Sequence, residues 1–251
     1  MNRSERLSLS AYRNAFPEGV LELDGATALR VPTASTTPML NRIVGLGLEG
    51  LATEEQLDAA IAAMEGLRFY ISVSPAARPA ELPDWLRARG FEPAWGWMQF
   101  RRGVEDVPQA ATALAVVEIG SEHGSDFGSI VRAAYGLPLE TEPIIASAPE
   151  RDGWTCWLAL ADGEPAGAAA LFVDRGAGYL GYAGTVPEHR GKGAQNALLA
   201  TRIRRARELG CDVLFTETGS LLPDRPSASY RNILRAGFEE LYVVANWLSP
   251  G

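Results

Sequence analysis

Polar and apolar positions in this chain follow two periods, and each period predicts its own elements. Residues Ala194–Leu209 place Ala197, Leu198, Thr201 and Ala206 at helical spacing with arginines between them. That pattern predicts one buried stripe and one solvated face, with Arg202, Arg204, Arg205 and Arg207 on the wet side. Thr53–Leu67 begins with Thr53 and, three residues on, Gln56, the reciprocal cap that starts a helix. Short apolar runs at Leu114–Ile119, Trp154–Leu160, Ala166–Val173 and Tyr179–Thr185 predict strands, and Ser125–Tyr135 reads as helical. Asp162-Gly163, between two of those strands, is a hairpin turn signal. From Leu114 the order is β, α, β, β, β, α, β, α, β. Hairpins and crossover helices together predict a mixed sheet in an α/β fold.

Two stretches of the chain look alike. Residues 69–100 and 214–247 each give a β-rich run, a Pro-containing polar loop, a short helix, a Gly-Phe-Glu stop and an aromatic-rich strand. LRARGFE (86–92) and LRAGFE (234–239) place Gly90 and Gly237 where a left-handed residue closes a helix. The repetition suggests a duplicated unit. The polar, Pro-bearing segment Arg101–Ala113 is the predicted joint, which gives domains 1–105 and 106–251.

Composition narrows the function. A hydrophobic fraction of 47% and a charged fraction of 22% suit a globular chain that builds a core without disulfides or metal. The net charge of −8 argues against nucleic acid, whose phosphates need a basic face. Cys156 and Cys211 lack CxxC spacing and fit packing thiols in a reducing compartment, and His123 and His189 are too isolated for a zinc site, so no metal is expected. No apolar run is long enough for a membrane span and the first residues lack a signal peptide's apolar segment, so the cytoplasm is the expected location. Of 23 basic residues only Lys192 is a lysine.

That lysine lies in the most informative stretch, Gly184–Gln195 (GTVPEHRGKGAQ). A strand ends, Pro187 breaks its ladder, and a turn with two glycines opens onto a long helix. Glycines let the backbone approach a ligand, the helix start offers unpaired N–H groups, and Arg190 and Lys192 add full charges. A diphosphate is the ligand such a turn suits best. A Walker loop is excluded because Gly193, rather than Ser or Thr, follows Lys192, and a dinucleotide fingerprint because Asn196 stands where its third glycine belongs.

The run TVPEHRGKGAQNALL resembles the acyl-CoA signature of GNAT-superfamily N-acetyltransferases: Arg or Gln, two residues, Gly, one residue, then Gly or Ala. Arg190 and Gly193 match, while Gln195 occupies the last position and departs from it. The resemblance implies a GNAT-like fold in two tandem copies and acetyl-CoA as cosubstrate. It implies pantetheine pairing by backbone groups of Ala183, Gly184 and Thr185. Pyrophosphate binding would fall to Arg190, Gly191, Lys192, Gly193, Ala194 and Gln195. The equivalent first-half turn, Gly45–Gly50 (GLGLEG), carries Glu49 and no cation, which repels a diphosphate. One active site, in the second half, is therefore expected.

Attack of an amine on a thioester calls for a base, an oriented carbonyl and a proton for the thiolate. Glu217, at the end of an apolar strand, is the candidate base; a carboxylate there also serves as a turn cap. The superfamily's usual acid position, four residues before the helix-ending glycine, holds Ile233 here, so Tyr230, one turn earlier, is the candidate acid, with Ser229 or no residue as alternatives. Residues 125–149 with Tyr135, Trp154, Trp157 and Tyr182 are candidate walls for a small-molecule or peptide amine. The departures at Gln195 and Ile233 also fit a CoA-binding sensor or scaffold that has lost turnover.

Overall fold

The computed structural model describes residues 2–221 and 227–251, which fall into two compact units. The first consists of Met1–Met98 with Tyr242–Gly251, the second of Gln99–Leu241. The division predicted from sequence was 1–105 and 106–251. In the structure, Trp97–Arg102 and Glu239–Leu248 each contribute residues to both units.

The first unit opens with α1 (Arg3–Ala15), which the apolar pattern did not reveal; Asn2 and Glu5 cap it reciprocally. Strands β1 (Val20–Leu23), β2 (Ala26–Leu29) and β3 (Arg42–Val44) lead to α2 (Glu54–Ala62), β4 (Tyr70–Val73), α3 (Leu82–Ala88) and β5 (Glu92–Pro93). The predicted capping box of α2 is present: Thr53 Oγ1 accepts from Gln56 N at 3.2 Å and Gln56 Oε1 from Thr53 N at 3.0 Å. The strand β6 (Trp97–Arg102) then carries the chain into the second unit.

There follow β7 (Ala115–Ile119), α4 (Gly124–Tyr135), α5 (Glu142–Ala146), β8 (Trp154–Ala161), β9 (Glu164–Asp174) and β10 (Ala177–Thr185). After them come α6 (Ala194–Glu208), β11 (Val213–Gly219), α7 (Ala228–Arg235) and β12 (Glu239–Leu248). Apart from the short α5, the elements and their order match the sequence reading. The residues of β12 from Tyr242 onward belong to the first unit, where Tyr70–Val73 pair antiparallel with Ala245–Leu248. Within the first unit the strand order is β1-β2-β3-β4-β12, with β5 also on β12; within the second it is β6-β11-β10-β9-β8-β7. Parallel β3–β4 and β10–β11 pairs among antiparallel neighbours make the sheets mixed.

Both Gly-Phe stops close their helices alike. Gly90 and Gly237 take φ of 78° and 80°. The amide of Phe91 donates to the Leu86 carbonyl, and that of Phe238 to the Ile233 carbonyl, the six-to-one bond of a Schellman end. Ile43, Leu57, Ile71, Leu82, Leu86 and Trp247 fill the first core. In the second unit β9 is buried on both faces by α4 and α6, and the run Ala168-Ala169-Ala170 provides the small side chains that two close helices demand. Asp162 and Gly163 form the β8–β9 turn with φ of 52° and 90°, the left-handed pair that such a turn requires.

Arg89, just past α3, is held by two α2 carboxylates, at 2.6 Å from Asp58 and 3.0 Å from Glu54. Its hydrogen bond keeps the Asp58 carboxyl below the usual aspartate range. A depressed carboxyl pKa stabilises above the unfolded value of about 4 and stops doing so as pH falls through the folded one. Arg89→Gln is therefore expected to lower Tm by about 1–3 °C at pH 7, and the gap to the unsubstituted protein should narrow progressively as pH falls from about 5 towards 2 in thermal melts.

Candidate active site

The site is built where β10 and β11 part. The two are paired in parallel for four residues only, Ala177–Leu180 against Val213–Thr216, and Thr216 Oγ1 donates to the Leu180 carbonyl at 2.8 Å. Beyond that point β10 stays with β9 through a bulge. Gly181 pairs with Ala170 and Gly184 with Ala168, so Tyr182 and Ala183 stand opposite Ala169 alone. Tyr182 takes φ of 49°, a left-handed conformation that a bulky side chain avoids. Such strain, of order 1–3 kcal/mol, collects where backbone is re-aimed for use. The Tyr182 ring is braced by Phe127 and Trp154, at centroid distances of 6.0 and 5.2 Å. A side chain at Gly184 would meet Ala134 of α4 at 2.6 Å, so only glycine allows that helix this close to β10.

After Thr185 the chain turns through Pro187–His189 into the glycine turn. Gly191 and Gly193 both adopt left-handed φ, 79° and 88°. A Cβ at Gly191 would touch nothing within 4 Å among the described residues, so among them the turn is open there. One at Gly193 would press Thr112 at 3.1 Å, and Thr112 Oγ1 donates to the Lys192 carbonyl at 2.7 Å, which pins the turn from behind. Gly193 is the N-cap of α6 and no side chain caps it, so the first-turn amides of α6 are left as donors. Arg190 is exposed, and Lys192 Nζ lies 3.2 Å from His189 Nδ1. Open glycine backbone, helix-end donors and two cations fit a diphosphate.

Gln195 turns its side chain towards α7. Its amide nitrogen donates to Ser229 Oγ at 3.0 Å, and its oxygen accepts from Asn232 Nδ2 at 2.6 Å. The residue that departs from the signature thus commits its side chain to α7.

Glu217 sits on β11 one residue past the last β10 pair. Its carboxylate accepts from Gln99 Nε2 at 2.7 Å and from Tyr179 Oη at 3.2 Å, donors on the two flanking strands. Tyr230 is placed differently. It is buried, its ring packs edge-on against Phe100 at 4.9 Å, and its hydroxyl donates to Glu240 Oε1 at 2.6 Å. Burial first, and then the Glu240 carboxylate, push the phenol up to about 12. Ile233 is also buried.

Of the predicted acceptor-side aromatics, Trp157 is buried and Trp154 makes tilted ring contacts with Phe172 and Tyr182. Tyr135 exposes part of its side chain; burial pushes its phenol up to about 12, against the opposing pull of Arg202 and of a hydrogen bond with the Ala183 backbone. One sequence expectation fails. Arg202 is not on the wet face: it is 1% exposed, facing β9 and β10, while Arg204 and Arg207 are in solvent. Position 202 lies four residues after Leu198 on the apolar stripe, a periodicity the charge obscured.

The first unit's equivalent turn is closed by its own chain. Gly47 takes φ of 77°, and a Cβ there would fall 2.4 Å from the Arg78 carbonyl. Arg78 N donates to the Gly47 carbonyl at 3.0 Å, and Ala52 N donates to the Arg78 carbonyl at 2.9 Å. Backbone of Arg78 thus lies directly against this turn at Gly47.

Residues 126–223 match the model of the acetyltransferase (GNAT) family. They form a GNAT domain. The match takes in the bulge, the glycine turn and Glu217, and it places the domain among acyltransferases. The fold likeness runs further. A GCN5-related N-acetyltransferase from Kribbella flavida is similar over 100% of this chain and 97% of its own, with a TM-score of 0.72 at 18% identity. An acetyltransferase of the GNAT family from Novosphingobium aromaticivorans covers 99% and 97%, with a TM-score of 0.62 at 15% identity. A tandem GNAT protein from the clavulanic acid biosynthesis pathway covers 90% and 80%, with a TM-score of 0.59 at 15% identity. At these identities the likeness is one of fold. No curated relative matches the chain in sequence.

Two outcomes follow for the GNAT domain. Arg190→Glu/Lys192→Glu places charge of the wrong sign at exposed positions, so affinity for a diphosphate-bearing probe such as CoA, measured calorimetrically, is expected to fall by about 100-fold with Tm unchanged within about 2 °C. Tyr230→Phe removes a hydroxyl committed to Glu240. Because a proton held that tightly is a poor gift to a thiolate, kcat should stay within about threefold while stability drops by about 1 kcal/mol on denaturant titration.

Proposed function

We propose that the GNAT domain transfers an acetyl group from acetyl-CoA to a primary amine of a small molecule or peptide by direct attack. The observation that carries this reading is the glycine turn. It is open at Gly191, pinned behind by Thr112 and followed by uncapped α6 donors, at the end of the strand that parts from β11. In this reading Arg190–Gln195 hold the pyrophosphate, and backbone groups of Ala183–Thr185 pair with the pantetheine. The cosubstrate supplies an activated thioester, and the protein supplies position and a proton acceptor.

Glu217 is the proposed base. Two neutral donors fix its carboxylate at the mouth of the parting strands, where an amine reaching the thioester would pass. The proton leaves the amine for Glu217, directly or through water, as the carbon–nitrogen bond forms and the carbon–sulfur bond breaks; the coenzyme departs as a thiolate and takes its proton from solvent. The closed turn in the first unit supports a single CoA site per chain.

The rival reading, a CoA-binding sensor or scaffold, shares the turn and differs in turnover. Release of free thiol from acetyl-CoA, followed with a panel of primary amines, separates them. The proposal expects amine-dependent release; tight CoA binding without it would leave the sensor. Glu217→Gln is expected to cut kcat by about 100-fold at neutral pH with CoA affinity kept within about threefold. Full turnover in that variant would remove Glu217 as base.

A further inference from the structure

Arg202 is among the largest fully buried side chains of this protein, and no carboxylate among the described residues pairs with it. Burying a cation is costly unless its N–H groups are satisfied. Its hydrogen bonds all run to carbonyl oxygens. Nε donates to Leu198 O on its own helix at 3.1 Å, and Nη1 donates to Ala170 O on β9 at 3.3 Å and to Gly181 O on β10 at 3.2 Å.

Those two strand carbonyls belong to the pair that ends the regular β9–β10 ladder. The next pair, Ala168 with Gly184, lies beyond the bulge, and the strained Tyr182 follows Gly181 directly. A leucine or methionine at position 202 would fill the same space with no desolvation cost. A guanidinium there gives something a hydrocarbon cannot: one planar group that ties both strands at the rim of the bulge. Desolvation lowers its pKa to about 10, so it stays protonated at neutral pH.

From this we infer that Arg202 is a positioning residue for acyl transfer: by clamping the Ala170 and Gly181 carbonyls it holds the Tyr182–Ala183 bulge in the conformation that presents β10 backbone to the thioester. The inference rests on the proposed function, since it assigns the bulge to the thioester. It also makes a claim about backbone order that holds with no cosubstrate present. A misplacement of about 1 Å at such a point costs on the order of 100-fold in rate.

Arg202→Met and Arg202→Lys test it, by hydrogen exchange with and without acetyl-CoA and by thiol-release kinetics with the best amine of the panel. Arg202→Met is expected to exchange about tenfold faster over residues 181–185, with peptides of the first unit unchanged. Acetyl-CoA should still protect 190–198 in that variant but no longer protect 181–185. Its kcat should fall by 30- to 100-fold with KM for acetyl-CoA within about threefold. Arg202→Lys, which keeps the charge without the fork, should lie between the two. Unchanged exchange over 181–185 in Arg202→Met, or kcat equal to that of the unsubstituted protein, would overturn the inference. If Arg202→Met does not fold, the lysine variant decides: exchange and kcat identical to those of the unsubstituted protein count against the clamp. Failure of acetyl-CoA to protect 190–198 in the unsubstituted protein would sink the proposed function instead, and the exchange of 181–185 without cosubstrate would still judge Arg202.

Discussion

The GNAT domain depends on a pairing that stops early. Four residues of β10 lie against four of β11, and then the strands separate. A parallel pair that ends inside a sheet leaves backbone donors and acceptors facing a gap, and in a protein interior such groups must find partners or serve a ligand. Here β10 stays tied to β9 through its bulge, which leaves its other edge available. The bulge, the strained Tyr182, the glycine at 184 that admits α4, and the turn into α6 all follow from keeping that edge in place.

Much of this was legible in the sequence, because the signals are local. The Thr53–Gln56 cap, the Asp162-Gly163 turn and the two Gly-Phe stops each rest on one or two residues whose backbone chemistry fixes the geometry. The glycine turn belongs with them, since Gly191 and Gly193 take the left-handed φ that their spacing before a helix implied. Less legible was everything decided across the sheet. The aromatic-rich runs that close residues 69–100 and 214–247 read as strands, yet nothing within either names its partner. The exchange that gives Tyr242–Gly251 to the first unit therefore could not be seen. Arg202 was misplaced because charge outweighed period in the reading, and its carbonyl partners lie 21 and 32 residues away.

Gln195 shows how a departure from a signature is to be weighed. At the position where the signature has a small residue, a long polar side chain suggests obstruction. The structure sends it to Ser229 and Asn232 on α7, away from the turn's open side. The same bonds tie the start of α6 to the helix that follows β11, so the proposed phosphate site and the strand carrying Glu217 share a support. The case for a protein that has lost turnover then rests on Ile233 alone. That residue is buried in α7, where a tyrosine would have to displace core to point at a thiolate.

The first unit makes the complementary case. It repeats the parallel pair, the glycine turn and the Schellman-closed helix, but Arg78 lies across its turn, hydrogen-bonded both to Gly47 and to Ala52. Closing the turn with backbone satisfies the donors that an open turn would keep for a ligand. Removing Glu49 would therefore not restore a diphosphate site, because the repulsion read from the sequence is secondary to occupation by the chain. The difference between the two turns is where the backbone goes.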